Sequence, residues 1–261
     1  MKTFVGPIER QKFLEKVKVK LRRFNAIFLV FALLPVFIYS AFELRIIKTA
    51  QPKTETGFEG IALLRTPGEN LIYGTAFLIN ENQLITAAHC VEYVDKGDEV
   101  GLKFYNDEDE YVAILRYKGD YDSYNPKNDY AILEILDVSF DNFYELKELG
   151  NITSLNQEVI VAGFPAGKIF QSSSGEITGS FTYSNRAITH KDDDELYQLQ
   201  FDGWRGMSGA PIIDKKTELV LGIYVAEFNE KSKLEGMQVG VNIDNFLADP
   251  NVQKIINPKE K

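Results

Sequence analysis

From Phe58 onward the chain repeats one pattern about a dozen times, a short apolar run followed by a turn signal. The runs are Ile61–Leu64, Gly74–Ile79, Gln83–Thr86, Gly101–Tyr105, Tyr111–Tyr117, Ala131–Ile135, Val159–Ala162, Gly175–Tyr183, Tyr197–Phe201, Pro211–Ile213, Leu219–Val225 and Met237–Val241. Runs this short, with no helical stretch between successive ones, exclude alternating strand-helix units. A dozen strands in roughly 190 residues predict an all-β fold of two six-stranded antiparallel β-barrels, with a site in the cleft between them. A hydrophobic content of 44% is enough to fill both cores.

Ahead of the barrels the composition changes. Residues 1–23 carry eight basic residues against Glu9 and Glu15, a net charge of +6, which leaves −15 for the rest of a chain of net charge −9. Phe24–Phe42 then runs for 19 residues without a charge. As a helix rising about 1.5 Å per residue it reaches roughly the 30 Å of a bilayer's hydrocarbon layer. The expectation is an N-terminal transmembrane helix, a signal anchor, which tolerates Pro35. The basic flank predicts a cytoplasmic N-terminus, so the chain reads as a single-pass protein of the cell membrane with residues 58–250 extracytoplasmic. A cleaved signal peptide is the rival reading. Against it, Tyr39-Ser40-Ala41 puts a bulky tyrosine where a signal peptidase prefers a small residue. Residues 43–57, with Pro52 and Gly57, read as a linker, and residues 251–261 as a polar C-terminal tail.

Three segments carry chemistry. Leu84-Ile85-Thr86-Ala87-Ala88-His89-Cys90, Asn128-Asp129-Tyr130-Ala131-Ile132-Leu133 and Gly206-Met207-Ser208-Gly209-Ala210-Pro211 supply a histidine, an aspartate and a serine. A serine hydroxyl is a poor nucleophile at neutral pH. It needs a base to take its proton and a carboxylate to hold that base in one tautomer. His89, Asp129 and Ser208 fit those catalytic roles, and the backbone N–H groups of Gly206 and Ser208 fit an oxyanion hole. The order His, Asp, Ser, at spacings of 40 and 79 residues, is that of the chymotrypsin-like enzymes, whereas other hydrolase folds use other orders. The sequence therefore resembles a trypsin-like, chymotrypsin-fold serine protease. That resemblance implies cleavage of protein or peptide substrates through an acyl-enzyme.

The likeness extends over nearly all of residues 58–250. Gly74-Thr75-Ala76-Phe77-Leu78-Ile79 is similar to the strand that precedes the histidine in bacterial trypsin-like enzymes. Val161-Ala162-Gly163-Phe164-Pro165, Gly175-Glu176-Ile177-Thr178 and Val239–Leu247 resemble segments of the glutamyl endopeptidase branch. The pocket departs from that branch, because Tyr224 stands where those enzymes place a histidine for the substrate carboxylate. Asp202 and Glu227 add negative charge there, which disfavours glutamate and favours lysine or arginine before the scissile bond. A one-residue slip would turn Asp202 away from the pocket, and Arg205 could neutralise it. In trypsin-like zymogens an aspartate immediately before the serine pairs with a newly freed N-terminal amine. Met207 stands there, so that switch is not expected. Cys90, the single cysteine, is paired in the animal digestive enzymes and reads here as a small buried apolar residue.

His190 and the run Lys191-Asp192-Asp193-Asp194-Glu195 read as a solvated loop that lacks the spaced ligands of a calcium site, and no metal or other cofactor is expected. Asn151-Ile152-Thr153 matches a glycosylation sequon that is common by chance. The acidic balance argues against nucleic acid, and the basic block at 16–23 fits topology and anionic lipid. Two alternatives stand beside the endopeptidase. One is a catalytically inactive homologue that binds a partner in the cleft, prompted by Met207 and Trp204-Arg205, and the other is an HtrA-type quality-control protease.

Overall fold

The computed structural model describes residues 48–50, 57–65, 72–120, 126–146, 156–167, 169–184, 187–189, 195–227 and 237–258. The expected transmembrane helix over 24–42, the basic segment 1–23, the sequon and His190 with its acidic run to Asp194 lie outside those residues. Among the described residues no helix is long and apolar enough to cross a membrane.

A three-residue strand, β1 (Lys48–Ala50), precedes the first barrel. That barrel consists of β2 (Ile61–Arg65), β3 (Ile72–Leu78), β4 (Gln83–Thr86), β5 (Glu99–Phe104), β6 (Tyr111–Lys118) and β7 (Ala131–Ile135). The strands pair antiparallel in the order β2-β3-β4-β7-β6-β5, and β5 pairs back onto β2 to close the ring. Closure leaves no strand edge open to a second chain. The period-2 alternation is plain in β6, where Tyr111, Ala113 and Leu115 are buried and Val112 is exposed.

After β8 (Val138–Phe140), the second barrel is built from β9 (Gln157–Gly163), β10 (Gln171–Ser184), β12 (Leu196–Gln200), β13 (Pro211–Asp214), β14 (Val220–Glu227) and β15 (Gln238–Asn242). Its order is β10-β12-β15-β14-β13-β9, closed by antiparallel pairing of β9 with β10. β11 (Ala187–Thr189) only folds back on the end of β10. One long strand serves two neighbours because β10 carries a register shift between Ile177 and Gly179, where it bends from β9 toward β12. All twelve apolar runs of the sequence fall in these twelve strands, and both expected six-stranded barrels are present.

The second barrel's strands are apolar on both faces. Val159, Val161, Tyr197, Leu199, Ile212 and Leu221 form one buried cluster, while Leu196, Ile213, Ile223 and Val225 belong to the other, which is continuous with the core of the first barrel. Two-sided burial explains the near-continuous apolar runs here.

Two helices follow β15, and the second of them runs into residues 251–256, where a polar tail was expected. Asn242 caps α1 (Ile243–Ala248), and Asp249 caps α2 (Pro250–Ile256), which has proline at its first position. Val252 of α2 is fully buried. Phe246 of α1 is also buried, edge-on to Tyr130 with ring centroids 5.4 Å apart, and such burial contributes about 2 kcal/mol. The Asp249 carboxylate accepts from Tyr117 at 2.5 Å and from Tyr130 at 3.1 Å, so the C-terminal helices strap the second barrel to the first. Burial alone would raise the Asp249 pKa, but the Tyr117, Asn251 and Tyr130 donors bring it below the usual carboxylate value. Asp249→Ala removes a cap and two tyrosine partners. It is expected to cost about 2 kcal/mol, read from the urea midpoint at pH 7, and a loss under about 0.5 kcal/mol would contradict the strap.

Candidate active site

The end of β4 positions the histidine. Thr86 pairs with Ala131, so β4 and β7 lie side by side, and the residues just beyond that pair meet at one end of the first barrel. Ala87 is extended and starts a single 3-10 turn over Ala88–Val91. Ala88, Cys90 and Val91 are buried, which leaves His89 as the residue of the turn that faces outward. Asp129 follows another 3-10 turn, Pro126–Asn128, and its N–H donates to the Pro126 carbonyl at 2.9 Å.

Asp129 is buried and holds His89 twice. Oδ1 accepts the His89 backbone N–H at 2.9 Å, and Oδ2 faces Nδ1 at 2.7 Å. With a proton on Nδ1, Nε2 is the ring nitrogen that carries the basic lone pair. Burial of the ring opposes its charged form. The Asp129 hydrogen bond and the Cys90 sulfur, 3.7 Å from Nε2, outweigh that and move the His89 pKa upward from the ordinary imidazole value. The His89 side chain keeps 27% of its surface exposed.

Residues 205–208 form the loop that carries the serine, and each carbonyl in it has a donor. Arg205 accepts from the Ala166 N–H at 2.6 Å, Gly206 from Thr75 Oγ1 at 2.9 Å, and Met207 from the Ala210 N–H at 2.9 Å. Ser208 accepts from the Thr75 N–H at 2.8 Å and from Cys90 Sγ at 3.5 Å. In a trans peptide the N–H points opposite to the carbonyl, so fixing the Arg205 and Met207 oxygens aims the N–H groups of Gly206 and Ser208 the other way. Among the described residues neither N–H has an acceptor. Two left-handed residues make this possible. Gly206 has φ +96°, a conformation that favours glycine, and Ala166 holds φ +51° to present its N–H to Arg205.

Met207 has a plain structural role. It is 1% exposed and packs among Val159, Val161, Ile177, Leu199 and Tyr224, anchoring the loop in the second barrel's core. Close backbone approach brings the serine loop against the first barrel beside Cys90, the neighbour of His89. A Cβ on Gly74 would lie 2.5 Å from Cys90 Sγ and 2.7 Å from the Ser208 carbonyl oxygen, so β3 of the first barrel and the serine loop of the second touch there.

The expected pocket residues lie around Gln238 and differ in exposure. Asp202 is exposed in the loop ahead of Gly203. Tyr224 is buried, and its hydroxyl donates to Gln238 Oε1. This neutral pair packs against Gly203, where a side chain would collide with Gln238. Glu227 ends β14 opposite Gln238. Trp204 is 64% exposed beside Arg205, which is exposed as well. Among the described residues no group of three or more metal-ligating side chains converges. Sequence reasoning missed Thr75 and Gln238. A threonine or glutamine within an apolar strand carries no signal until register shows what it faces.

Comparison with known proteins agrees with this geometry. Residues 74–223 match the trypsin-like peptidase domain family. Protease Do-like 2, chloroplastic, from Arabidopsis thaliana is 27% identical over 179 residues, which are 67% of this chain and 28% of that protein. The chain thus spans under a third of the length of that relative. Among solved structures, Rv3671c from M. tuberculosis H37Rv, in an inactive mutant form, is 19% identical, with 83% of this chain and 100% of that chain covered and a TM-score of 0.54. The HtrA-type protease AlgW with a decapeptide is 18% identical over 76% of this chain and 65% of that one, with a TM-score of 0.55. At such identity these structures attest the fold. None of the three is named as a glutamyl endopeptidase. By its sequence match and its paired barrels, the chain belongs to the trypsin-like peptidase domain family of serine proteases.

Proposed function

We propose that the protein is an endopeptidase that uses Ser208 as nucleophile, His89 as general base and acid, and Asp129 to orient the imidazole. The observation that carries this reading is the ordered loop 205–208, with two N–H groups unaccepted among the described residues, beside His89 paired with the buried Asp129. The Ser208 hydroxyl attacks the scissile carbonyl as His89 Nε2 takes its proton. The Gly206 and Ser208 N–H groups stabilise the resulting oxyanion, a contribution of about 3 kcal/mol per donor in related chemistry. His89 returns the proton to the leaving amine, and water then hydrolyses the acyl-enzyme by the same route.

Tethering by residues 24–42, with residues 58–250 extracytoplasmic, belongs to this proposal and rests on the uncharged run and its basic flank. Exported or extracellular proteins are then the substrates. The exposed carboxylate of Asp202 supports a basic residue before the scissile bond. The Do-like 2 and AlgW likenesses support a second reading, protein quality control of the HtrA type. Met207, which prompted the binding-only alternative, is accounted for by packing.

A digest of a peptide library by the full chain, read by mass spectrometry beside Ser208→Ala, tests the activity. Cleavage after lysine or arginine that Ser208→Ala lacks is the expected outcome. Cleavage after glutamate would overturn the pocket assignment, and equal cleavage by Ser208→Ala would remove the nucleophile from the account. Only neutral His89 accepts a proton, so a raised pKa means activity is lost as pH falls through a value above the ordinary ~6.5. Asp129→Asn removes a group that favours imidazolium. It should move this acid limb downward and lower kcat by about 10⁴-fold, whereas an unmoved limb would show that Asp129 does not set the His89 titration.

A further inference from the structure

Thr75 sits on β3 of the first barrel and is wholly buried, yet among the described residues its hydroxyl bonds only to the second barrel's Phe164 and Gly206. Oγ1 accepts the Phe164 N–H at 3.1 Å and donates to the Gly206 carbonyl at 2.9 Å. The proton has one place to go, because Phe164 offers only a donor and Gly206 only an acceptor. Gly163 leaves room for the contact, since a Cβ there would lie 2.7 Å from Oγ1. We propose that Thr75 is a positioning residue through which docking of the first barrel sets the oxyanion loop of the second. This rests on reading the Gly206 and Ser208 N–H groups as the oxyanion hole.

Without the hydroxyl, the Gly206 carbonyl and the Phe164 N–H both lose their partner in a buried seam. Gly206, at φ +96°, has no Cβ to resist rotation of its two flanking peptides. Turning the Gly206–Met207 peptide frees one of the two flanks that hold Gly206 and leaves its N–H aimed by the Ala166–Arg205 bond alone. The serine itself stays in place, because Ser208 is bound through the Thr75 backbone N–H, which any residue at 75 other than proline retains.

The test compares the full chain with its Thr75→Val and Thr75→Ser variants in pre-steady-state reaction with p-nitrophenyl acetate, a small ester that needs an oxyanion hole and no side-chain pocket. Thr75→Val is expected to slow acylation roughly 10- to 100-fold at an unchanged half-saturating ester concentration, with Thr75→Ser within about threefold of the parent. A parental rate in folded Thr75→Val, or an equal loss in both variants, overturns the proposal. Amide hydrogen exchange at Met207, whose N–H donates to the Trp204 carbonyl at 3.1 Å, reads the same loop without any activity. Protection should fall in Thr75→Val and persist in Thr75→Ser, and unchanged protection in Thr75→Val also overturns it. Should Thr75→Val not fold, Thr75→Ala serves in both measurements. Absence of a burst in the parent chain would count against the hydrolase reading, while the exchange result would still decide the role of Thr75.

Discussion

The site depends on one buried seam, where β3 of the first barrel lies against the serine loop of the second. At this seam the Thr75 N–H binds the Ser208 carbonyl, the Thr75 hydroxyl binds the Gly206 carbonyl, and the Thr75 carbonyl accepts from Thr86 Oγ1 at 2.7 Å. Thr86 ends β4, the strand that leads into His89. A single residue therefore ties the strand that leads to His89 to the loop that carries Ser208. Gly74 and Gly209 make the approach possible, since a Cβ on either would run into the opposite backbone. Breaking a fully satisfied buried polar contact leaves each partner desolvated, so the seam resists partial opening.

Around that seam the fold solves two electrostatic problems. The Asp129 carboxylate is buried, and its charge is tolerated because one oxygen faces the His89 N–H and the other faces Nδ1. The serine loop must leave two N–H groups unpaired, at a cost in isolation, and the bonds to all four carbonyls offset it. Met207 completes the loop by packing rather than by charge. Its side chain fills the barrel core, so the loop is ordered without the ion pair that trypsin-like zymogens await.

The barrels were legible because closed antiparallel sheets print their registers as short apolar runs, and twelve of these match twelve strands. The pairing of His89 with Asp129 was legible because strand ends fix where residues meet. His89 and Asp129 each lie just past one end of the β4–β7 pair. What escaped has equally physical causes. The full length of β10 was hidden by polar Gln171-Ser172-Ser173-Ser174, which pair with β9 although they carry no apolar signal. Helix α2 spans seven residues and has Val252 as its buried residue, too little periodicity to distinguish from a polar tail. The pocket could not be read because side-chain facing in Asp202 and pairing in Tyr224 with Gln238 are set by tertiary contacts. Glu227 is placed only by its register against Gln238.

The central claim is that Ser208 is an activated nucleophile. Exposure of the full chain to a fluorophosphonate probe, followed by peptide mapping, tests it without knowledge of the substrate. A single adduct on Ser208 is expected, and it should disappear when His89 is replaced by alanine. A chain that stays unlabelled at pH values where His89 is neutral, or an adduct that persists without His89, would contradict it.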